Sequence, residues 1–159
     1  MRFILKRFTD FNEQDRLSAG NWYGNDSAWR MVADLARIFY FGDSNGNLHK
    51  SKLQRKLFCV VDGIVGGEKD GPLHPDPKRS GYVVGGDNPL AVDIVTTRLM
   101  GIDYRRLKKF KILRDYFGYN FGLGNVKEIN IKNPDFAEIF DSKERFLAFE
   151  PHPGWKNFI

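Results

Sequence analysis

Carboxylates that follow apolar runs are the residues of this chain with the clearest potential for chemistry. Asp62 comes directly after "LFCVV", and Asp87 follows "YVV" and two glycines. The apolar runs predict buried strands, so both carboxylates are expected at the carboxyl ends of strands, where open α/β sheets bind ligands. Three further carboxylates in the region could add oxygen ligands for Mg²⁺ or Ca²⁺, namely Glu68, Asp70 and Asp93. We predict Asp62, Glu68 and Asp87 as candidate ligands of a divalent cation.

The glycine-rich loop around these carboxylates also suggests ligand binding and acid–base chemistry. Glycines let a ligand approach the backbone closely, and the helix start at Asp87 and Asn88 presents N–H groups that favour anions. Helix capping is the alternative role for both residues. His74 lies in the same loop. It therefore joins Asp62 and Glu68 as a candidate for general acid–base catalysis.

Arg98 is a candidate anion-binding residue because of its place on a predicted helix. In "NPLAVDIVTTRLMG" the side chain of Arg98 projects within the apolar arc, away from Asp93. An arginine in that position must extend to solvent, pair with a carboxylate or hold an anionic ligand. We expect Asp62 or Glu68, rather than Asp93, as its partner.

The elements that would position these residues alternate between helices and strands. Helices are predicted for "NDSAWRMVADLARIFYF", "NPLAVDIVTTRLMG", "DYRRLKKFKILRDYFG" and "NPDFAEIF", and strands for "KLFCVV", "GYVVGG", "VKEINIK" and "RFLAFEP". Continuous apolar strands are typical of sheets buried on both faces. The order of elements predicts an α/β fold, with a mostly parallel or mixed sheet flanked by helices, in a single compact domain over residues 1–159.

Composition narrows the class of protein. A chain of 159 residues with 42% hydrophobic residues can bury a core of its own. Its one cysteine, Cys59, excludes an internal disulfide and an iron–sulfur cluster held within this chain. No apolar run reaches the roughly 20 residues of a membrane span, and "MRFILKRF" is too short for a secretory signal. We expect a cytoplasmic protein.

The net charge of +5 is concentrated in "YRRLKKFKILRDYF", residues 104–117. A basic helix with interleaved aromatic residues can follow phosphates or dock on an acidic partner, whereas a solvated helix face is the simpler interpretation. The chain has no zinc-finger, RNP or helix-turn-helix signature. Nucleic acid therefore ranks last among the expected partners.

Three segments resemble the C-terminal half of the bacterial domain-of-unknown-function family 362. They are "NWYGNDSAWRMVADLARI", the stretch from "QRKLFCVVDGIVGGEKDG" through "RLMGID", and "FEPHPGWK", in matching order over roughly residues 16–159. The resemblance marks as signature positions Asn25, Asp26, Trp29, Arg30, Asp62, Glu68, Gly71, Pro72, Asp87, Asp93, Arg98 and Gly101. We add Asn25, Asp26, Arg30 and Gly71 to Asp87, Asn88 and Arg98 as predicted ligand-binding residues.

The resemblance implies little about activity, because none is established for the family as a class. Some members carry ferredoxin-like cluster segments, but a single cysteine prevents that property from transferring. Members are usually longer than this chain, which implies a missing N-terminal half or another subunit as a partner.

Two functions follow from these observations. The first is an enzyme or ligand-binding domain that holds a small anionic or phosphorylated ligand, with or without a divalent cation such as Mg²⁺, in a crevice of strand-end loops. The alternative is a non-catalytic interaction domain, or half of a larger assembly, that docks an acidic partner through the basic helix.

Overall fold

The computed structural model describes residues 28–71, 74–115, 118, 119, 121–142 and 145–157, with the side chains of 112–115 excepted. In these residues the chain forms the helices α1 (Ala28–Phe41), α2 (Pro89–Leu99) and α3 (Lys108–Asp115) and the strands β1 (Cys59–Asp70) and β2 (His74–Gly86). Short 3₁₀ turns lie between α2 and α3 at Tyr104–Arg106 and after α3 at Val126–Glu128, Pro134–Phe136 and Pro153–Trp155. The expected combination of helices and sheet in a compact α/β arrangement is confirmed.

The two strands form one long antiparallel hairpin. Cys59 lies opposite Gly86 at its open end, and Asp70 lies opposite His74 at its closed end. The register shifts once between Gly63 and Val65. A parallel or mixed sheet is therefore not confirmed, because the sheet of the described residues has only these two antiparallel strands.

The hairpin differs from the prediction because residues 63–80 were expected to be loop. Residues 63–70 instead continue β1, and the segment "HPDPKRSGY" begins β2. Strands joined by so few residues must pair antiparallel, since a parallel pair needs a crossover of a dozen residues or more. The backbone groups of this glycine-rich stretch are thus satisfied by pairing rather than by a ligand.

Two further predicted strands are extended or turn segments in the structure. Val126–Glu128 forms a 3₁₀ turn, and the described part of "RFLAFEP" contains no strand. The alternation that predicted a strand arises because Ile129 and Ile131 pack on the core while Asn130 is exposed. Leu147 donates its N–H to the Leu99 carbonyl at 3.0 Å, so this segment follows the end of α2 instead of a sheet edge.

Helix α2 has the predicted ends. The Asn88 side chain accepts a hydrogen bond from the Ala91 N–H at 3.1 Å, Pro89 is the first helical residue, and Gly101 beyond the helix has φ +83°. Only glycine takes that φ without strain, which explains why the helix ends there. The predicted cap of α1, within residues 25–27, lies outside the described residues.

The core is centred on α2. On one side Leu90 and Ile94 pack with Ala33 and Phe41 of α1 and with Phe110 of α3. A second cluster joins residues of α2 to the segment 129–147; its buried members are Val95, Leu99 and Ile139. None of the described helices has the length and apolar character to cross a membrane.

Candidate functional site

A cavity of about 470 Å³ lies where the start of α1, the closed half of the hairpin, residues 100–109 and the C-terminal segment meet. Two indoles contribute to it, those of Trp29 and Trp155, and we call it the tryptophan pocket. Its apolar lining also includes Val32, Met100, Ile102, Leu107 and Phe149. Its charged lining comprises Glu68, Lys69, Glu150, Arg106, Lys108 and Lys109. An apolar cavity with a few polar groups is the usual form of a small-molecule site.

Glu68 fixes the C-terminal segment to the hairpin. Its Oε2 accepts a hydrogen bond from the Glu150 N–H at 2.9 Å and another from Lys78 Nζ at 3.1 Å. The hydrogen bond from the Glu150 N–H and the ammonium of Lys78 both hold the pKa of Glu68 below its usual value. The side chain is 11% exposed. Glu68 is therefore an ionised carboxylate whose bonds build one wall of the pocket.

Lys78 and Gly66 complete this connection. Lys78 Nζ also donates to the Ala148 carbonyl at 2.9 Å and lies 5.3 Å from the ring centroid of Phe149. That ring rests directly on Gly66, where an added Cβ would lie 2.6 Å from Phe149 Cζ. Gly66 thus gives room to an aromatic ring of the same chain.

His152 enters the pocket from the C-terminal segment, although the sequence favoured His74. Its Nδ1 accepts the Gly154 N–H at 3.1 Å, and its Nε2 is buried 3.2 Å from Asp70 Oδ1. The second contact lacks hydrogen-bond geometry. His152 therefore caps the last turn against the hairpin. The sequence feature that could have indicated a role for His152 in this pocket is the "EPHPGW" segment that contains it.

The opposite wall of the pocket is basic. Arg106, Lys108 and Lys109 contribute to it from the turn before α3 and from α3 itself. Lys109 Nζ lies 2.9 Å from Asp93 Oδ2, whereas Arg106 makes no ion pair with a described residue. The neighbouring Arg105 is held by Asp103, whose pKa is lowered by hydrogen bonds from the Arg105 guanidinium.

The predicted site residues are divided between separate places. Glu68 and Gly71 line the tryptophan pocket, and the Arg30 guanidinium lies 4.3 Å from the ring centroid of Trp29, which lines it too. Asp87 and Asn88 line a different cavity of about 690 Å³, beside Cys59 at the open end of the hairpin. Asn25 and Asp26 lie outside the described residues.

The expected strand-end position of Asp62 is wrong. Asp62 lies inside β1, opposite Val83, and is exposed. Its Oδ1 accepts the N–H of Ile64 at 3.1 Å. The strand continues because the glycines that follow Asp62 pair with β2. Asp87, by contrast, follows the last residue of β2 as predicted.

Three other candidates have local roles. Asn88 caps α2 and donates from Nδ2 to the Phe121 carbonyl at 3.1 Å. His74 is exposed at the first position of β2. Arg98 donates to the Ser142 carbonyl and lies 5.3 Å from the ring centroid of Phe146, so the expected pairing with Asp62 or Glu68 is wrong.

The three predicted cation ligands do not fit one site in this arrangement. Glu68 is engaged by Lys78 and Glu150, Asp62 faces solvent on β1, and Asp87 lies at the open end of the hairpin. The described part of the chain contains no group of three or more histidine, cysteine, aspartate or glutamate residues that could hold a metal ion. The divalent cation stays a prediction from the sequence.

Comparison with known proteins gives one match. A family model described as "Domain of unknown function (DUF362)" matches residues 11–98. The match includes α1, the hairpin and most of α2, so Trp29, Glu68 and Gly71 lie inside it and the C-terminal wall of the pocket follows it. No curated protein and no solved structure matches the chain.

Proposed function

The chain belongs to the family described as domain of unknown function (DUF362), and we propose that it binds a small anionic ligand in the tryptophan pocket. One observation carries the proposal: Trp29, Glu68 and Gly71 meet the basic residues of 106–109 around a single cavity. These three are among the positions that the family resemblance marked. The ligand is therefore assigned to this pocket and not to a crevice shared by Asp62 and Asp87.

The size of the pocket supports a small molecule. Ligand sites commonly enclose about 300–1,000 Å³, and the tryptophan pocket encloses about 470 Å³. Its walls come from segments that are tied together by long-range hydrogen bonds, such as that between Glu68 and the Glu150 N–H. A cavity held open in this way does not have to be ordered by the ligand, which lowers the cost of binding.

The charges of the pocket support an anion. Four basic side chains and two carboxylates line it. Both carboxylates are next to cations, since Glu68 lies 3.1 Å from Lys78 Nζ and Glu150 Oε1 lies 3.9 Å from Lys69 Nζ. Basic side chains therefore outnumber carboxylates in the lining, and three of the four lie within residues 106–109.

Anion-dependent thermal stability tests the proposal. We expect inorganic phosphate to raise the melting temperature of the purified chain, because a ligand that binds only the folded state stabilises it. Arg106→Met keeps the length of the side chain and removes the charge, so it should abolish most of the rise. Lys127→Met, a change of the same charge at an exposed residue outside the pocket, is the matched control. Equal responses of the two variants to phosphate would disprove the assignment.

A second candidate function is that of an interaction domain, and exposed apolar surface favours it. Helix α1 exposes Met31, Leu35, Ile38 and Phe39, each at least 50% exposed and spaced to share one face. Phe58, directly before β1, is 72% exposed, and the hairpin exposes Val60, Val65 and Val83. Exposed apolar patches of this kind are typical of protein interaction sites.

We propose a second copy of this chain as the occupant of the hairpin surface. A two-stranded hairpin is marginal by itself and gains stability from an added strand or packed layer, and two copies can pair through equivalent edges. Docking of an acidic partner has less support, because Arg105 and Lys109 already pair with Asp103 and Asp93. Light scattering after size-exclusion chromatography should show a dimer that Val60→Lys dissociates and Lys127→Glu leaves intact. A wild-type monomer at all concentrations would contradict self-association.

A further inference from the structure

We propose that the ligand of the tryptophan pocket is an aromatic anion, with its ring against the indoles and its negative group facing Arg106. This inference deepens the proposed function and rests on it, since it names the chemical class that the same pocket would select. It makes a separate claim: the anionic group does not account for the full affinity, because a flat aromatic ring should contribute affinity of its own.

Three aromatic side chains from three segments of the chain contribute to the apolar lining of the pocket. Trp29 comes from the first turn of α1, Trp155 from the last 3₁₀ turn, and Phe149 from the segment that crosses the hairpin. Phe149 is 5% exposed and packs on Gly66, whereas both indoles are half-buried. Both indoles line the cavity, and an aromatic pair gains free energy beyond the area that it buries.

Charge on the two walls of the pocket is segregated, and this fixes the orientation of the ligand. On the hairpin wall Lys69 Nζ lies 2.8 Å from Asp76 Oδ2 and 3.9 Å from Glu150 Oε1, so its charge is compensated within the protein. Glu68 and Glu150 would repel an anion placed against that wall. Arg106 belongs to the other wall. Its charge contributes to the lowered pKa of Asp103, but among the described residues it makes no ion pair of the kind that joins Lys69 to Asp76. A guanidinium can hold a phosphate or carboxylate with two parallel hydrogen bonds.

Three phosphates separate the ring from the anion when they are compared above about pH 8, where each is a dianion: inorganic phosphate, cyclohexyl phosphate and phenyl phosphate. Binding is followed by isothermal titration of the purified chain. We expect phenyl phosphate to bind about three- to tenfold more tightly than cyclohexyl phosphate, which corresponds to the gain of an aromatic pair. Arg106→Met should weaken both esters by the same factor, because it removes only the contact with the anion.

Substitutions of Trp155 test the role of the indole. Trp155→Leu should reduce the preference for phenyl over cyclohexyl phosphate to less than about twofold, whereas Trp155→Phe should retain it. Urea unfolding of both variants shows whether the fold is kept. If Trp155→Leu unfolds the chain, Trp29→Leu, compared with Trp29→Phe, provides the same comparison from the other side of the pocket.

The possible failures are distinguishable. If the two esters bind equally and both depend on Arg106, the aromatic inference is wrong while the proposed function stands. If no probe binds, or if binding does not depend on Arg106, both are wrong. A phenyl preference that survives Trp155→Leu and Trp29→Leu alike would also overturn the inference, since the ring would then lie elsewhere.

Discussion

Replacement of Lys78 by methionine should destabilise the chain more than any other change of a lysine in the hairpin. Lys78 Nζ donates to Glu68 Oε2 at 3.1 Å and to the Ala148 carbonyl at 2.9 Å, and it lies 5.3 Å from the centroid of Phe149. Methionine keeps most of the aliphatic stem, so the packing of the stem on Phe149 is largely retained. The variant therefore isolates the loss of the ammonium group.

The expected loss follows from the exposure of the partners. A hydrogen bond to a charged group contributes about 1.5–3 kcal/mol. Lys78 is 26% exposed and Glu68 is 11% exposed, so solvent screens part of this interaction. Glu68 keeps its bond from the Glu150 N–H and is not left without a partner. We expect the free energy of unfolding to fall by about 2–3 kcal/mol at pH 7.

The loss should depend on pH. The pKa of Glu68 is lowered in the folded state, so its ionised form stabilises the fold above the unfolded glutamate pKa, near 4.3. That stability is lost as the pH falls through the lower folded pKa. The difference in unfolding free energy between Lys78→Met and the wild type should thus be complete at pH 7 and decrease below about pH 4. The part that remains in acid comes from the lost hydrogen bond between Lys78 and the Ala148 carbonyl.

Urea unfolding followed by tryptophan fluorescence, at pH 7 and at several acidic pH values, measures this difference. Lys69→Met is the matched control: Lys69 lies on the same hairpin, but its ion pair with Asp76 joins side chains that are 41% and 58% exposed. The control should lose less stability than Lys78→Met. An equal loss in the two variants, or a loss for Lys78→Met that is the same at neutral and acidic pH, would refute the reasoning.

Three further substitutions test other contacts. Gly66→Ala places a Cβ against the ring of Phe149 and should cost about 1–3 kcal/mol of unfolding free energy, measured with urea. Asn88→Ala removes the cap of α2 and its bonds to two carbonyls, and should cost about 1–2 kcal/mol by the same measurement. Arg98→Met should cost about 1–2 kcal/mol with no recovery in acid, because the partner of Arg98 is the carbonyl of Ser142 and not a carboxylate.

Each of these substitutions has a control on the same chain. Gly71→Ala should cost less than Gly66→Ala, because the nearest atom to its added Cβ is 3.9 Å away. Asn88→Asp keeps an oxygen for the cap and loses only the amide donor, so its unfolding free energy should lie between those of Asn88→Ala and the wild type. Recovery of Arg98→Met in acid would show that Arg98 pairs with a carboxylate after all.

Local sequence determined helix α2 and its ends. The cap of α2 joins Asn88 to Ala91, three residues away, and Gly101 ends the helix through its own φ. Such features depend on side chains within one turn of each other, which is why residue types and spacing predict them. The family was also determined by the sequence, since the segments that resemble it include α1 and the hairpin residues matched by the family model.

Tertiary structure decided the pairing of the strands and the place of the site. Glycine and proline suggested a loop over residues 63–80, but the backbone of that stretch finds its hydrogen bonds in an antiparallel partner. The tryptophan pocket depends on contacts such as that of Glu68 with the Glu150 N–H, 82 positions along the chain. No periodicity encodes a contact over that distance, because it exists only after α2 and the hairpin have brought the C-terminal segment back across Gly66.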